Sequence, residues 1–342
     1  MVIIYIKMLK YNATIRIEPN PKCIRIRNKS CEAVTFLYNQ TRTNRTHHQK
    51  TALALLLSLF LFSRLTLWKM VALERSLEAA MNARIIGSGS ETMVLAHGFG
   101  GDQSVWDKVL PCLTKHYQVV LFDWTFSGAV KDPNLFDPLK YSSYDAFADD
   151  LIALLDELHL ESSLVFVGHS MSGMIGCIAS IKRPQLFNRL ILVAASPRYI
   201  NIDDYEGGFD DATIDGIISS IESDYENWTS NFALLVVDNS DPISVNNLAK
   251  CLKRMRHEFA VPLAKTVFRS DKRDILDEVT TPCTIIQTTN DIVVPGSVAD
   301  YMHKKIKGKS TVEIVNTNGH FPQLTAHLEF LAVLAGVLGF EI

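Results

Sequence analysis

Ser170, Asp291 and His320 could together carry out acyl transfer. A serine hydroxyl is a poor nucleophile at neutral pH. It needs a base to take its proton, and the base needs an acid to fix its tautomer. Ser170 stands in "LVFVGHSMSG" (164–173), where an apolar run ends abruptly on Gly168, His169 and Ser170. A sharp strand-to-helix turn at that point would lift the hydroxyl above a sheet. Asp291 ends the run "TIIQTTND", and His320 follows "VEIVN" in "TNGHFPQ". The order Ser, Asp, His is the one such a turn requires. Taken singly, each residue has an ordinary reading: a βα loop, a turn-capping aspartate, or one of ten histidines exposed or capping a helix. Joint order and strand-end placement favour the chemical reading.

An oxyanion would need two amide donors, the N–H after the nucleophile and one from an early βα loop. Met171 offers the first. The loop "HGFGGDQSVW" (97–106) offers the second at Phe99, with Gly98, Gly100 and Gly101 giving it room to turn. No G-K-[ST] follows, so phosphate binding is disfavoured against this reading or a plain glycine turn. Tyr199, Phe209, Trp228, Phe232 and Phe268 lie in or beside a later helical stretch. Helix aromatics are usually core, but an apolar, aromatic-lined pocket around polar catalytic groups suits a small uncharged ligand.

The elements that must position these groups alternate. Short apolar runs at 92–97, 117–124, 164–169, 189–196, 283–291 and 310–320 read as strands. Between them, 144–160 places Phe147, Leu151, Leu154, Leu155 and Leu158 on one helical face. A second helix over 174–184 is halted by Pro184, and one continuous helix is expected over "FPQLTAHLEFLAVLAGVL". Unalternating apolar strands joined by helices predict an α/β fold, a mostly parallel central sheet covered on both faces. Residues from about 205 to 272 show helical patterns without a strand. They predict a helical lid over the strands' C-terminal ends, where open α/β sheets bind ligands.

The chain has 342 residues, 47% hydrophobic and 21% charged, with a net charge of −3. That balance leaves no footprint for nucleic acid. The six cysteines form no C-x-x-C pair and no H-E-x-x-H occurs, so no metal or other cofactor is expected. Reduced thiols place the protein in the cytoplasm and nucleus. Residues 1–75 are unlike the rest and read as an extension, either disordered or translated from a faulty gene model. Their apolar run "ALALLLSLFLF" (52–62) follows basic residues, as an anchor would, and would give a membrane-anchored or secretory protein. Eleven helical residues rise only about 16 Å, against about 30 Å of hydrocarbon, so membrane contact holds only if that run is a real anchor. The globular domain is expected over 76–342.

That domain resembles the plant α/β-hydrolases of the strigolactone and karrikin (butenolide) receptor family. The resemblance rests on "GSGSETMVLAHGFGGDQSVW", "VGHSMSGMIGCIAS", "ASPRYIN", "YEGGF", "NFALLVV", "VFRSD", "NDIVVP" and "NGHFPQL". It implies an α/β-hydrolase fold, Ser170, Asp291 and His320 as triad, and Phe99 and Met171 at the oxyanion hole. It also implies a pocket lined by Tyr199, Phe209, Trp228, Phe232 and Phe268. The stretch "FDWTFSGAVKDP" (122–133) departs from the receptors' cysteine-alanine-glycine loop and is most like the family's DWARF-fourteen-like two branch. The implied activity is slow hydrolysis of a small apolar butenolide-type ester or enol ether, serving as a signal. An F-box protein and signalling repressors are the partners implied at the lid. The alternatives are a sensor that binds without turnover and a broad-range carboxylesterase.

Overall fold

The computed structural model describes residues 76–342 throughout and, by backbone alone, four earlier strands: β1 (Ile3–Ile4), β2 (Thr14–Ile17), β3 (Cys23–Asn28) and β4 (Cys31–Leu37). These pair antiparallel in the order β1-β2-β3-β4. They belong to a contact unit of Met1–Lys69, separate from the unit Met70–Ile342. The run at 52–62 and the rest of 1–75 lie outside the described residues, and with them the expectation of disorder or a gene-model origin. Among the described residues no helix is long and apolar enough to cross a membrane.

The larger unit is built on a seven-stranded sheet. Its strands are β5 (Arg84–Ile86), β6 (Glu91–Ala96), β7 (Tyr117–Leu121), β8 (Leu164–His169), β9 (Phe187–Val193), β10 (Cys283–Asn290) and β11 (Ser310–Asn318). The order is β11-β10-β9-β8-β6-β7-β5, and every pairing is parallel except that of β5 with β7. At the centre, β8 is buried at every position, so both faces of the sheet are covered. This explains why "LVFV" lacks polar alternation.

Helices α1 (Leu77–Ala80), α2 (Leu110–His116), α3 (Tyr144–Glu157) and α4 (Met171–Lys182) follow in chain order. Ser143 caps α3 by accepting from the Asp145 N–H, and α3 buries Phe147, Leu151, Leu154 and Leu155. Arg183, before Pro184, leaves helical dihedrals and ends α4. Between β9 and β10 come α5 (Asp211–Ser223), α6 (Tyr225–Val236), α7 (Pro242–Arg254) and α8 (His257–Phe268). Asp210, Asp224 and Asp241 cap the first three, and each helix buries one stripe, as Ile214, Ile218 and Ile221 do in α5.

Helix α9 (Gly296–Lys305) precedes β11, and the single helix expected over 321–338 is instead a broken pair, α10 (Pro322–Thr325) and α11 (His327–Leu338). The expectation for 321–338 is therefore corrected: Ala326 leaves helical dihedrals, at φ −129° and ψ 45°.

Gly168 lets the strand-to-helix turn close on itself. A Cβ there would lie 2.5 Å from the Ser172 carbonyl oxygen, backbone that cannot step aside. Gly168→Ala is expected to cost about 1–3 kcal/mol, the usual penalty of overpacking. A urea titration reads it as a lowered midpoint; an unchanged midpoint would show that the turn has slack.

Candidate active site

Ser170 occupies the cap of α4 with φ 56° and ψ −124°, a strained conformation for a residue with a side chain. Its N–H is held by the Val193 carbonyl at 2.8 Å, so β9 fixes the turn from the side. The residue is 5% exposed. Its Oγ lies 3.2 Å from the Tyr199 hydroxyl. Burial pushes the Tyr199 hydroxyl's pKa up, so it stays protonated and can donate.

Asp291 and His320 stand one and two residues past the ends of β10 and β11, where Asn290 pairs with Asn318. His320 Nδ1 lies 2.7 Å from Asp291 Oδ2. The other carboxylate oxygen accepts from the N–H groups of Val293 and Val294, at 2.8 and 3.1 Å. With Asp291 accepting at both oxygens, His320 Nδ1 carries the proton and donates, which leaves its Nε2 as the acceptor nitrogen. That Nε2 is buried without a hydrogen-bond partner. The serine hydroxyl therefore rests on Tyr199 while the imidazole Nε2 has no partner, and a proton transfer between serine and imidazole would need the hydroxyl to turn. Such contacts are commonly long before substrate binds.

The oxyanion loop is pinned behind this pair. His97 Nε2 accepts from the Trp124 N–H at 3.1 Å, so its Nδ1 carries the proton and donates to the Gly98 carbonyl at 2.9 Å. Trp124 Nε1 donates to the His97 carbonyl and to Ser172 Oγ, at 3.0 and 2.9 Å. Ser172 Oγ in turn donates to the His97 carbonyl at 2.5 Å. Asp102, 3% exposed, caps the next turn and pairs with Arg254 at the end of α7. Met171 opens α4, so its N–H has no acceptor one turn back. Gly98 must be glycine, since a Cβ would meet His169 Nδ1 at 2.8 Å and Ser170 Cβ at 3.0 Å.

Ser170 and His320 open into one cavity with Phe99, His169, Tyr199, Phe232, Val236, Val267, Phe268, Val293 and Phe321. Its volume is about 20 Å³, room for about one water. Phe99 lines it and stands edge-on to Trp228, Phe232 and Phe268.

Residues 93–333 match the alpha/beta hydrolase family. The chain is 46% identical over 248 residues to the strigolactone esterase RMS3 of Pisum sativum, covering 72% of this chain and 92% of that one. The chain belongs to the alpha/beta hydrolase family. Within it, the Petunia hybrida karrikin insensitive 2 receptor IA is 42% identical over 267 residues, covering 78% of this chain and 97% of the relative. Among solved structures, the Oleispira antarctica hydrolase olei00960 superposes with a TM-score of 0.74 at 30% identity, covering 78% of this chain and 97% of that one.

Of the residues expected at this hydrolase's site, Ser170, His320, Phe99, Tyr199, Phe232 and Phe268 line the cavity, and Asp291 and Met171 adjoin it. Trp228 and Phe209 are not among its lining residues: Trp228 stacks on Phe232 at 5.0 Å and meets Phe99 edge-on at 6.1 Å, and Phe209 meets Phe268 edge-on at 6.2 Å. Sequence reasoning missed Val236, Val267, Val293 and Phe321, for which helical or strand-end valines give no signal. It passed over His169, Ser172 and Trp124 as active participants; their contiguity with Ser170 or their departure from the receptor loop was the available sign.

Burial lowers the pKa of His169 well below its ordinary 6.5, with the neighbouring His320 adding to the effect, and burial likewise lowers that of His97. Both stay neutral in the fold and take up protons in the unfolded chain once pH falls below about 6.5. The unfolded state then holds more protons, so stability declines towards acid, by up to about 1.4 kcal/mol per pH unit for each histidine. Urea unfolding should show a lower midpoint at about pH 5.5 than at about pH 7.5. An equal midpoint would mean that the two rings charge freely in the fold.

Proposed function

We propose that this hydrolase binds a small butenolide-type ester or enol ether and cleaves it slowly through Ser170, His320 and Asp291. The carrying observation is the pair of His320 and Asp291 at 2.7 Å, with the His320 Nε2 left without a partner and His320 lining the same cavity as Ser170. Ser170 Oγ attacks the ligand's carbonyl carbon while His320 Nε2 takes its proton. Asp291 holds the imidazole and stabilises its cationic form. The N–H groups of Phe99 and Met171 receive the oxyanion; one such donor is commonly worth about 10²–10³ in rate. His320 then returns the proton to the departing oxygen, and water releases the acyl group from Ser170. The aromatic and valine lining favours an uncharged ligand.

The names of the relatives, strigolactone esterases and karrikin receptors, support this substrate class and a signalling output. The loop carrying Trp124 and Phe126, both fully buried, supports placement in the DWARF-fourteen-like two branch. For partners, the helical insertion α5–α8, read as a lid, exposes Leu234, Leu235 and Ile243 at 53%, 50% and 70%. That apolar surface is where an F-box protein or a signalling repressor would dock, in the cytoplasm or nucleus. Intact-protein mass spectrometry after exposure to a butenolide ester is expected to show an adduct on the wild type. Ser170→Ala should lose the adduct and bring turnover down to the uncatalysed background. Wild-type turnover by Ser170→Ala would overturn the mechanism.

The contact of Ser170 with Tyr199 favours a second reading, a sensor that binds without needing turnover. Ligand-induced thermal shifts separate the two. Equal shifts for wild type and Ser170→Ala with negligible product support the sensor. A shift that only the wild type shows, accompanied by product, supports hydrolysis.

A further inference from the structure

His169 precedes the nucleophile, is 1% exposed and lies in register with Val193 of β9. Its Nε2 is 2.8 Å from the backbone carbonyl oxygen of His320. A carbonyl only accepts, so Nε2 must carry the proton and donate, and in the neutral ring Nδ1 is left as a lone pair. The ring centroid lies 4.9 Å from the His320 ring and 4.4 Å from that of Phe321. On its other side Nδ1 faces Gly98 so closely that a Cβ there would reach 2.8 Å. One rigid side chain on β8 thus touches both loops that must meet over Ser170, the one with the base and the one with the oxyanion donors.

We propose that His169 is a positioning residue, whose Nε2–H grips the His320 backbone and sets the distance of the His320 imidazole from Ser170. This rests on the reading of His320 as the base. His169 exchanges no proton with substrate; it acts by holding the peptide from which the base projects. Loss of the grip leaves the His320 carbonyl without this donor and lets the loop settle away from the nucleophile. A displacement of about 1 Å at a catalytic group costs about 10²-fold in rate.

The test uses the full chain and a short aryl ester, with steady-state kinetics and thermal melting on each variant. His169→Phe keeps the ring's bulk without a donor. His169→Gln keeps an N–H at the reach of Nε2, and His169→Asn has one too short to arrive. The expected result is kcat lower by about 10²-fold in the Phe and Asn variants with KM held within about two-fold, and kcat largely restored by Gln. His320→Ala serves as the reference. If it is inactive while His169→Phe and His169→Asn match the wild type, the grip is refuted and the triad stands. If His320→Ala itself matches the wild type, the underlying reading fails. Where His169→Phe does not fold, the contrast of Gln with Asn decides, and equal loss in both refutes the proposal.

Discussion

The site depends on how β10 and β11 end. Their parallel pairing runs from Cys283 opposite Ser310, shifts register once near Thr288, and closes with Asn290 opposite Asn318. The next residues out are Asp291 on one strand and Gly319 then His320 on the other. A carboxylate and an imidazole 2.7 Å apart therefore follow from strand register, not from any attraction able to gather two loose loops. A slip of one residue would send alternate side chains to opposite faces and separate the pair. The same logic extends across the sheet: β9 lies between β8 and β10, and its Val193 carbonyl holds the Ser170 N–H while pairing with His169 and Ile286.

This dependence on register explains what could be read from the residues alone. The strands leading to Ser170, Asp291 and His320, "LVFVGH", "CTIIQTTN" and "STVEIVNTN", are rich in β-branched residues and end on polar ones, so their existence, order and ends are written in sequence. The edge strand β5 is only "RII", too short for any periodicity, and it went unseen. The break at Ala326 within an unbroken helical pattern was equally silent. Which aromatics line a cavity is also hidden. Trp228 and Phe232 stack one turn apart on α6, Trp228 buried and Phe232 half-buried, and sequence cannot say which of the two lines the cavity. Ser172 and Trp124 look like a substitution and a loop aromatic. Their hydrogen bonds to the His97 carbonyl exist only once the elbow and the oxyanion loop have come together.

The insertion is bound to the same machinery at three places. The His320 N–H donates to the Val236 carbonyl, the last residue of α6, at 2.7 Å, and Val237 bridges Gly319. Lys108 joins Asp241 and Ser244 at the start of α7 to the Leu324 carbonyl of α10. Arg254 at the other end of α7 pairs with buried Asp102 of the oxyanion loop. The roof of the cavity and its reactive floor are thus one hydrogen-bonded assembly, though the chain makes them from separate segments.

That coupling gives meaning to the cavity's small volume. With room for about one water, the cavity would take a larger ligand only as lining side chains such as Phe232 and Val236 of α6 or Val267 and Phe268 of α8 move aside. Displacing α6 at Val236 would pull on the amide of His320. The helices that line the cavity thus also hold the loop carrying His320, so any shift of α6 at Val236 would be felt at the His320 amide.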